Sequence, residues 1–209
     1  MLSGLEALAQ LKAGNRRFVV NQTSPESIDH ARRAALSAGQ EPFAIILGCS
    51  DSRVPAELVF DQGFGDLFVI RVAGNIVAPS QVGSVEFAAS RFGTRLVVVL
   101  GHSGCGAITA TLEEITGRAT SQSRNLRSIV DRVRHSVETL LASGLNLSED
   151  VLIREAVRAN VRASVNHLRH GSELLERLRL DDGLIVVGAE YSLETGVVTF
   201  FDDVMGRTP

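Results

Sequence analysis

The 209-residue chain predicts a single α/β domain: a central, mainly parallel four-stranded sheet with an antiparallel edge strand, flanked by helices and preceded by an N-terminal helical arm. Three observations predict it. Four short apolar runs rich in β-branched residues recur along the chain, of a length that suits strands buried on both faces. Stretches with helical spacing separate most of them, the alternation expected of a parallel sheet covered on both sides. The length suits one substantial core and is short for two.

Taken in order, Leu5, Leu8 and Leu11 with Ala9 repeat at helical spacing, so residues 3–13 predict a short amphipathic helix closed by a C-cap signal at Gly14-Asn15. Residues 21–29, polar and containing Pro25, predict a loop, and the alanine-rich residues 30–38 a second helix. Residues 1–40 together form the arm, expected to pack on a partner subunit. The buried strands are predicted at 43–47, 67–70, 96–100 and 184–187. Helices are predicted at 82–92, 106–116, 124–142 and 149–170. Val197-Val198-Thr199-Phe200-Phe201 follows the turn-forming Glu194-Thr195-Gly196 and predicts the antiparallel edge strand. There is no internal repeat, linker or low-complexity segment.

Composition narrows the function. A hydrophobic fraction of 44% and a charged fraction of 22% are ordinary globular usage. The net charge of -3 and pI near 6.0 supply no basic field to draw nucleic acid. Arg154, Arg158 and Arg162 do line up at i, i+4 and i+8, but without aromatic interleaving they read as a solvated helix face. The first residues carry neither a basic n-region nor an apolar h-region, and the apolar runs are strand-sized, so neither export nor membrane insertion is expected. The expected address is the cytoplasm, where thiols bind metal or do chemistry more often than they pair.

The two cysteines of the chain lie in Cys49-Ser50-Asp51-Ser52-Arg53 and His102-Ser103-Gly104-Cys105-Gly106. Cys49 follows the first strand and His102 the third, and ligands of open α/β sheets collect outside the carboxyl ends of strands. The motifs can therefore meet in space. Cys49, His102 and Cys105 are candidate zinc ligands; three protein donors with no further Cys or His nearby mark a catalytic site that keeps a fourth position for water. Gly101, Gly104 and Gly106 permit the tight turn that lets His-x-x-Cys supply two donors. Two thiolates cancel the formal charge of zinc, so its water needs help to ionise. Asp51 is spaced to accept a hydrogen bond from a metal-bound hydroxide, with Arg53 holding the carboxylate ionised and oriented. The same spacing allows Asp51 to bind the metal itself and close the fourth position. Residues 101–106 also imitate the opening of a phosphate-binding loop, but Ala107-Ile108 stand where Lys and Ser or Thr are required.

With these residues in view, the chain resembles the β-class carbonic anhydrases. The resemblance rests on Cys49-Ser50-Asp51-Ser52-Arg53-Val54-Pro55 and His102-Ser103-Gly104-Cys105-Gly106. It rests more loosely on Leu11-x-x-Gly14-Asn15-x-Arg17-Phe18 and Arg71-Val72-Ala73-Gly74-Asn75. It implies reversible hydration of carbon dioxide to bicarbonate and a proton by attack of zinc hydroxide, with one zinc ion per subunit. Cys49, His102 and Cys105 would be the ligands and Asp51 with Arg53 the orienting dyad. It also implies homodimers, often paired into homotetramers. Val72, Gly74 and the backbone N–H of Gly106 are candidates for lining the substrate pocket. In some members the aspartate ligates zinc at low pH, stabilised by bicarbonate at a site of tryptophan, arginine and tyrosine. Arg71 and Tyr191 stand at the corresponding positions here, but Ile46 replaces the tryptophan, and the chain has none. Relatives on the same fold hydrolyse carbon disulfide or carbonyl sulfide, which is the second functional expectation. A zinc-bearing bicarbonate sensor without turnover is the third.

Overall fold

The computed structural model describes residues 1–23, 30–120, 123–142 and 147–201. Four parallel strands, β1 (Ala44–Gly48), β2 (Leu67–Arg71), β3 (Leu96–His102) and β4 (Ile185–Tyr191), and the antiparallel β5 (Val198–Phe200) form one sheet in the order β2-β1-β3-β4-β5. Every residue of β1 and β3 is buried, which is why their sequences read as unbroken apolar runs.

Because strand side chains alternate between faces, each run feeds two cores. One face carries Ile46, Val98, Leu100 and Val187 against Ala7, Leu8 and Leu11 of α1 (Gly4–Val19) and against Phe60, which follows the short α3 (Ala56–Val59). The other carries Ile45, Leu47, Val97 and Val99. These meet Val85, Ala88 and Ala89 of α4 (Pro79–Arg91), Val161, Val165 and Leu168 of α7 (Glu149–His170), and Leu175 of α8 (Glu173–Asp181). Each buried Val, Leu, Ile or Phe among these contributes about 1.5–3 kcal/mol by leaving water. The remaining helices are α2 (His30–Ala35), α5 (Gly106–Ile115) and α6 (Arg124–Ala142); α5 and α6 pack beside the carboxyl ends of β1 and β3. No helix among the described residues is long and apolar enough to cross a membrane.

Several boundaries differ from the sequence expectation. Gly14-Asn15 does not end the first helix, which continues to Val19. Gly14 is there for close packing: a Cβ at this position would lie 1.8 Å from the carbonyl oxygen of Phe60. Asn15 donates through Nδ2 to the carbonyls of Val59 (3.0 Å) and Gly196 (2.9 Å), while its Oδ1 accepts from the N–H of Val198 (2.9 Å). The pair ties α1 to the α3 segment and the β4–β5 turn. Gly14→Ala is accordingly expected to lower the unfolding free energy by about 3 kcal/mol, since backbone on backbone has nowhere to move; urea denaturation measures it. The helix α8 was not anticipated, although its signals are in the chain: Ser172 caps it by accepting from the N–H of Leu175 (3.1 Å), and Glu173 and Glu176 occupy the first turn.

The arm divides into two parts. The apolar face of α1 lies on the core of its own subunit, whereas α2 and the 3-10 turn after it (Leu36–Ala38) contain no buried residue. Arg32 anchors α2 through Nε to the carbonyl of Phe64 (2.9 Å) and an ion pair with Asp66. Of the predicted loop at 21–29, residues 24–29 lie outside the described residues.

Candidate metal centre

The chain leaves β1 toward β2 on one side of the sheet and returns to β3 on the other, so the carboxyl ends of β1 and β3 form the topological switch point. Cys49 is the first residue past β1, His102 the last of β3, and Cys105 the residue from which α5 starts. Gly104, at φ 64°, makes the left-handed turn that brings Cys105 back beside His102. The side-chain donor atoms of Cys49, His102 and Cys105 all lie within 4.8 Å of one another, and all three residues are buried. The two sulfur atoms stand 3.9 Å apart as free thiols.

The donor set fits a metal ion by its own chemistry. His102 Nδ1 sits 3.0 Å from the carbonyl oxygen of Ser103, which can only accept, so the ring donates through Nδ1–H and the lone pair is left on Nε2. That Nε2 is fully buried and has no hydrogen-bond partner, a condition that costs about 1–3 kcal/mol unless another group satisfies it. The thiol of Cys49 is drawn well below its ordinary range by the adjacent Cys105 thiol, against burial, with His102 and the N–H of Gly74 acting in the same sense. Cys105 is pushed up by that same neighbour and by burial. One sulfur therefore ionises readily, and thiolate is the form that binds metal.

Asp51 flanks the cluster, with Oδ2 3.8 Å from His102 Nε2. Its Oδ1 accepts from the N–H (3.0 Å) and Nε (2.9 Å) of Arg53, and its Oδ2 from Arg53 Nη2 (2.7 Å). These side-chain bonds, against a smaller opposing effect of burial, hold the carboxyl far below the usual carboxylate range. Arg71 clamps the same loop from β2: its Nε donates to the carbonyl of Cys49 (3.0 Å) and its Nη2 to that of Asp51 (2.5 Å). This backbone role was not read from the sequence, because nothing local links residues 20 positions apart. Tyr191 lies on β4, separated from β2 by two strands, and its buried ring packs 6.5 Å from that of Phe18. Val72 packs beside Cys49 and Cys105, and the N–H of Gly74 donates to Cys49 Sγ at 3.4 Å. Gly106 lines an apolar cavity of about 380 Å³ with Ala73, Ala107, Ala110, Ile129 and Val130. In the arginine stripe, Arg154 and Arg162 are exposed, Arg162 lying over the Phe201 ring (5.1 Å), while the half-buried Arg158 pairs with Glu190 (2.7 Å).

A buried Cys-His-Cys cluster with a locked carboxylate at its open side, at the switch point of a parallel sheet, defines a candidate metal centre of the catalytic kind. The family profile described as carbonic anhydrase matches residues 44–198. Carbonic anhydrase 2 of Mycobacterium tuberculosis is 40% identical over 196 residues, covering 93% of this chain and 91% of its own. The β-carbonic anhydrase CafA of Aspergillus fumigatus superposes with a TM-score of 0.75 at 26% identity, over 98% of this chain and 92% of its own. A tetrameric β-carbonic anhydrase of Sordaria macrospora shares the fold with a TM-score of 0.73 at 22% identity, over 81% and 85%. This chain belongs to the carbonic anhydrase family, in its β class.

Proposed function

We propose that the enzyme catalyses the reversible hydration of carbon dioxide to bicarbonate and a proton, with one zinc ion per subunit held by Cys49, His102 and Cys105. The observation that carries this reading is the convergence of three buried donors, one of them an imidazole nitrogen with no hydrogen-bond partner, beside Asp51. When bound, zinc supplies Lewis acidity that lets water ionise near neutral pH. The chain supplies orientation. Asp51, kept ionised by the Arg53 fork, can only accept hydrogen bonds, so it orients a reacting water through that water's own proton and rejects a bare anion. For Asp51 itself to become a ligand, it would have to give up at least part of this fork. The paired arrangement is the one that leaves the fourth position to water. Val72, Gly74 and Gly106 would form the apolar side on which carbon dioxide rests, and the N–H of Gly106, in the first turn of α5 where donors lack helical partners, would meet charge developing on the product.

Carbon disulfide or carbonyl sulfide hydrolysis is the second reading, since the same donors serve it and only access distinguishes them. Stopped-flow assays on one preparation separate the two. Carbon dioxide hydration is expected; turnover of carbon disulfide or carbonyl sulfide without it would favour the second reading.

The working unit is a homo-oligomer. Leu67 to Ile70 of the edge strand β2 are only half-buried, Phe68, Phe87 and Phe92 form a ring cluster in which Phe87 is 53% exposed, and α2 buries nothing in its own subunit. Apolar edges of this kind call for cover, and the Sordaria macrospora relatives are tetramers. Light scattering after size exclusion is expected to give a dimer or tetramer at micromolar concentration; a monomer would contradict this.

A further inference from the structure

The inward face of α7 is apolar, with Val157, Val161, Val165 and Leu168 buried, yet two polar residues one turn apart interrupt it. Asn160 is 3% exposed and Ser164 is 5% exposed. Polar side chains in such a place destabilise a core unless they are paired. Both are paired to the backbone of one turn. Asn160 Nδ2 donates to the carbonyl of Gly74 (2.8 Å), and Ser164 Oγ to the carbonyl of Asn75 (3.2 Å).

That turn is unusual. Gly74 and Asn75 are consecutive left-handed residues, at φ 69° and φ 42°, inside a 3-10 turn. A Cβ on Gly74 would lie 3.1 Å from the Cβ of Ala107. Glycine takes the left-handed region freely, so the strain falls on Asn75, a residue type that tolerates this region better than most but holds it only where the surroundings support it. The consequence of the conformation is local and specific: the N–H of Gly74 donates to Cys49 Sγ at 3.4 Å. The carbonyls of Gly74 and Asn75 lie in the peptide planes on either side of Asn75, so holding both fixes the left-handed conformation of Asn75 and anchors the turn from which the N–H of Gly74 faces the sulfur.

We infer that Asn160 and Ser164 are positioning residues for the metal centre, holding the Gly74-Asn75 turn so that its N–H hydrogen-bonds the Cys49 sulfur and tunes it as a ligand. A hydrogen bond to a thiolate draws charge away from sulfur, which lowers its donation and raises the energy of sulfur-to-metal charge transfer. The same helix also packs against the strand that bears His102, since a Cβ on Gly101 would lie 2.6 Å from Val161. One helix thus steadies both halves of the cluster, from residues 86 and 89 positions away from the turn they hold.

The inference rests on the metal-centre reading, so its test reads the metal itself. The full-length protein is loaded with cobalt(II), and the thiolate-to-cobalt absorption is recorded together with the rate of cobalt loss to a chelator. The variants are Asn160→Leu and Ser164→Ala, which remove a donor; Ser164→Thr, which keeps the hydroxyl; and Val165→Ala, which opens a cavity on the same helix without touching the turn. Asn160→Leu and Ser164→Ala are expected to shift the band to longer wavelength, as the sulfur regains donation, and to speed cobalt loss about tenfold or more because Cys49 is no longer held in place, the range for residues that support metal ligands. Ser164→Thr is expected to restore both, and Val165→Ala to lower the melting temperature while moving neither. If the band stays fixed in Asn160→Leu and Ser164→Ala, or if cobalt loss follows melting temperature across all four, the role is structural and the inference is overturned. A wild-type protein that takes up no cobalt overturns the metal-centre reading, and this inference with it, and is told apart by that first measurement.

Discussion

Cys49→Ser is expected to lose zinc on the order of a hundredfold more readily than the wild type, and with the zinc the hydration activity. Structural zinc sites with four ligands are worth roughly 10–16 kcal/mol, so one donor in three or four carries about 3 kcal/mol or more. A serine hydroxyl replaces the sulfur atom for atom, but it stays protonated at neutral pH and binds zinc poorly. Cys105→Ser is expected to behave alike, while His102→Ala also removes the only donor held in place by a backbone carbonyl, through Nδ1 at 3.0 Å from Ser103. The fold should survive these changes, since the cores on the two sheet faces are built from other residues. Zinc content after dialysis, measured beside the circular dichroism spectrum, checks this. Full zinc retention in a folded Cys49→Ser protein would remove Cys49 from the ligand set.

Asp51→Ala is expected to show the complementary pattern, with zinc retained at one per chain while kcat/KM for carbon dioxide hydration falls roughly a hundredfold to a thousandfold, the range for losing one preorganised hydrogen-bonding group. Asp51 orients and does not hold the metal in the arrangement seen, where both its oxygens belong to Arg53. Arg53→Ala is expected to move activity in the same direction by less, because Asp51 keeps the hydrogen bond from the backbone N–H of residue 53 at 3.0 Å. An Asp51→Ala enzyme as fast as the wild type would assign the orientation of water to some other group.

The sheet was legible because β1 and β3 are buried on both faces, and a doubly buried parallel strand writes itself as an apolar run bounded by turns. The convergence of Cys49 with His102 and Cys105 was legible for the same reason: both motifs begin where such runs end. Residues whose meaning depends on a distant partner were not legible. Gly14-Asn15 has the local form of a helix end, and only the approach of Phe60, with Asn15 bonding Val59, Gly196 and Val198, shows why the helix runs through it. Arg71 reads from the sequence only as one member of a possible anion site with Tyr191, and its hydrogen bonds to the carbonyls of Cys49 and Asp51 depend on a loop some twenty residues earlier. Asn160 and Ser164 read as unremarked polar positions in a helix, because the carbonyls they satisfy lie some ninety residues earlier in the chain. The helix α8 is different: its Ser172 cap and acidic first turn are local signals that the sequence itself carries.

The most direct test is carbon dioxide hydration followed by stopped flow while zinc is titrated into metal-free protein. Activity should rise in proportion to added zinc and break at one zinc per chain. Complete zinc uptake without hydration, or full hydration by the metal-free chain, would contradict the assignment of Cys49, His102 and Cys105 as the centre of a carbon dioxide hydrating enzyme.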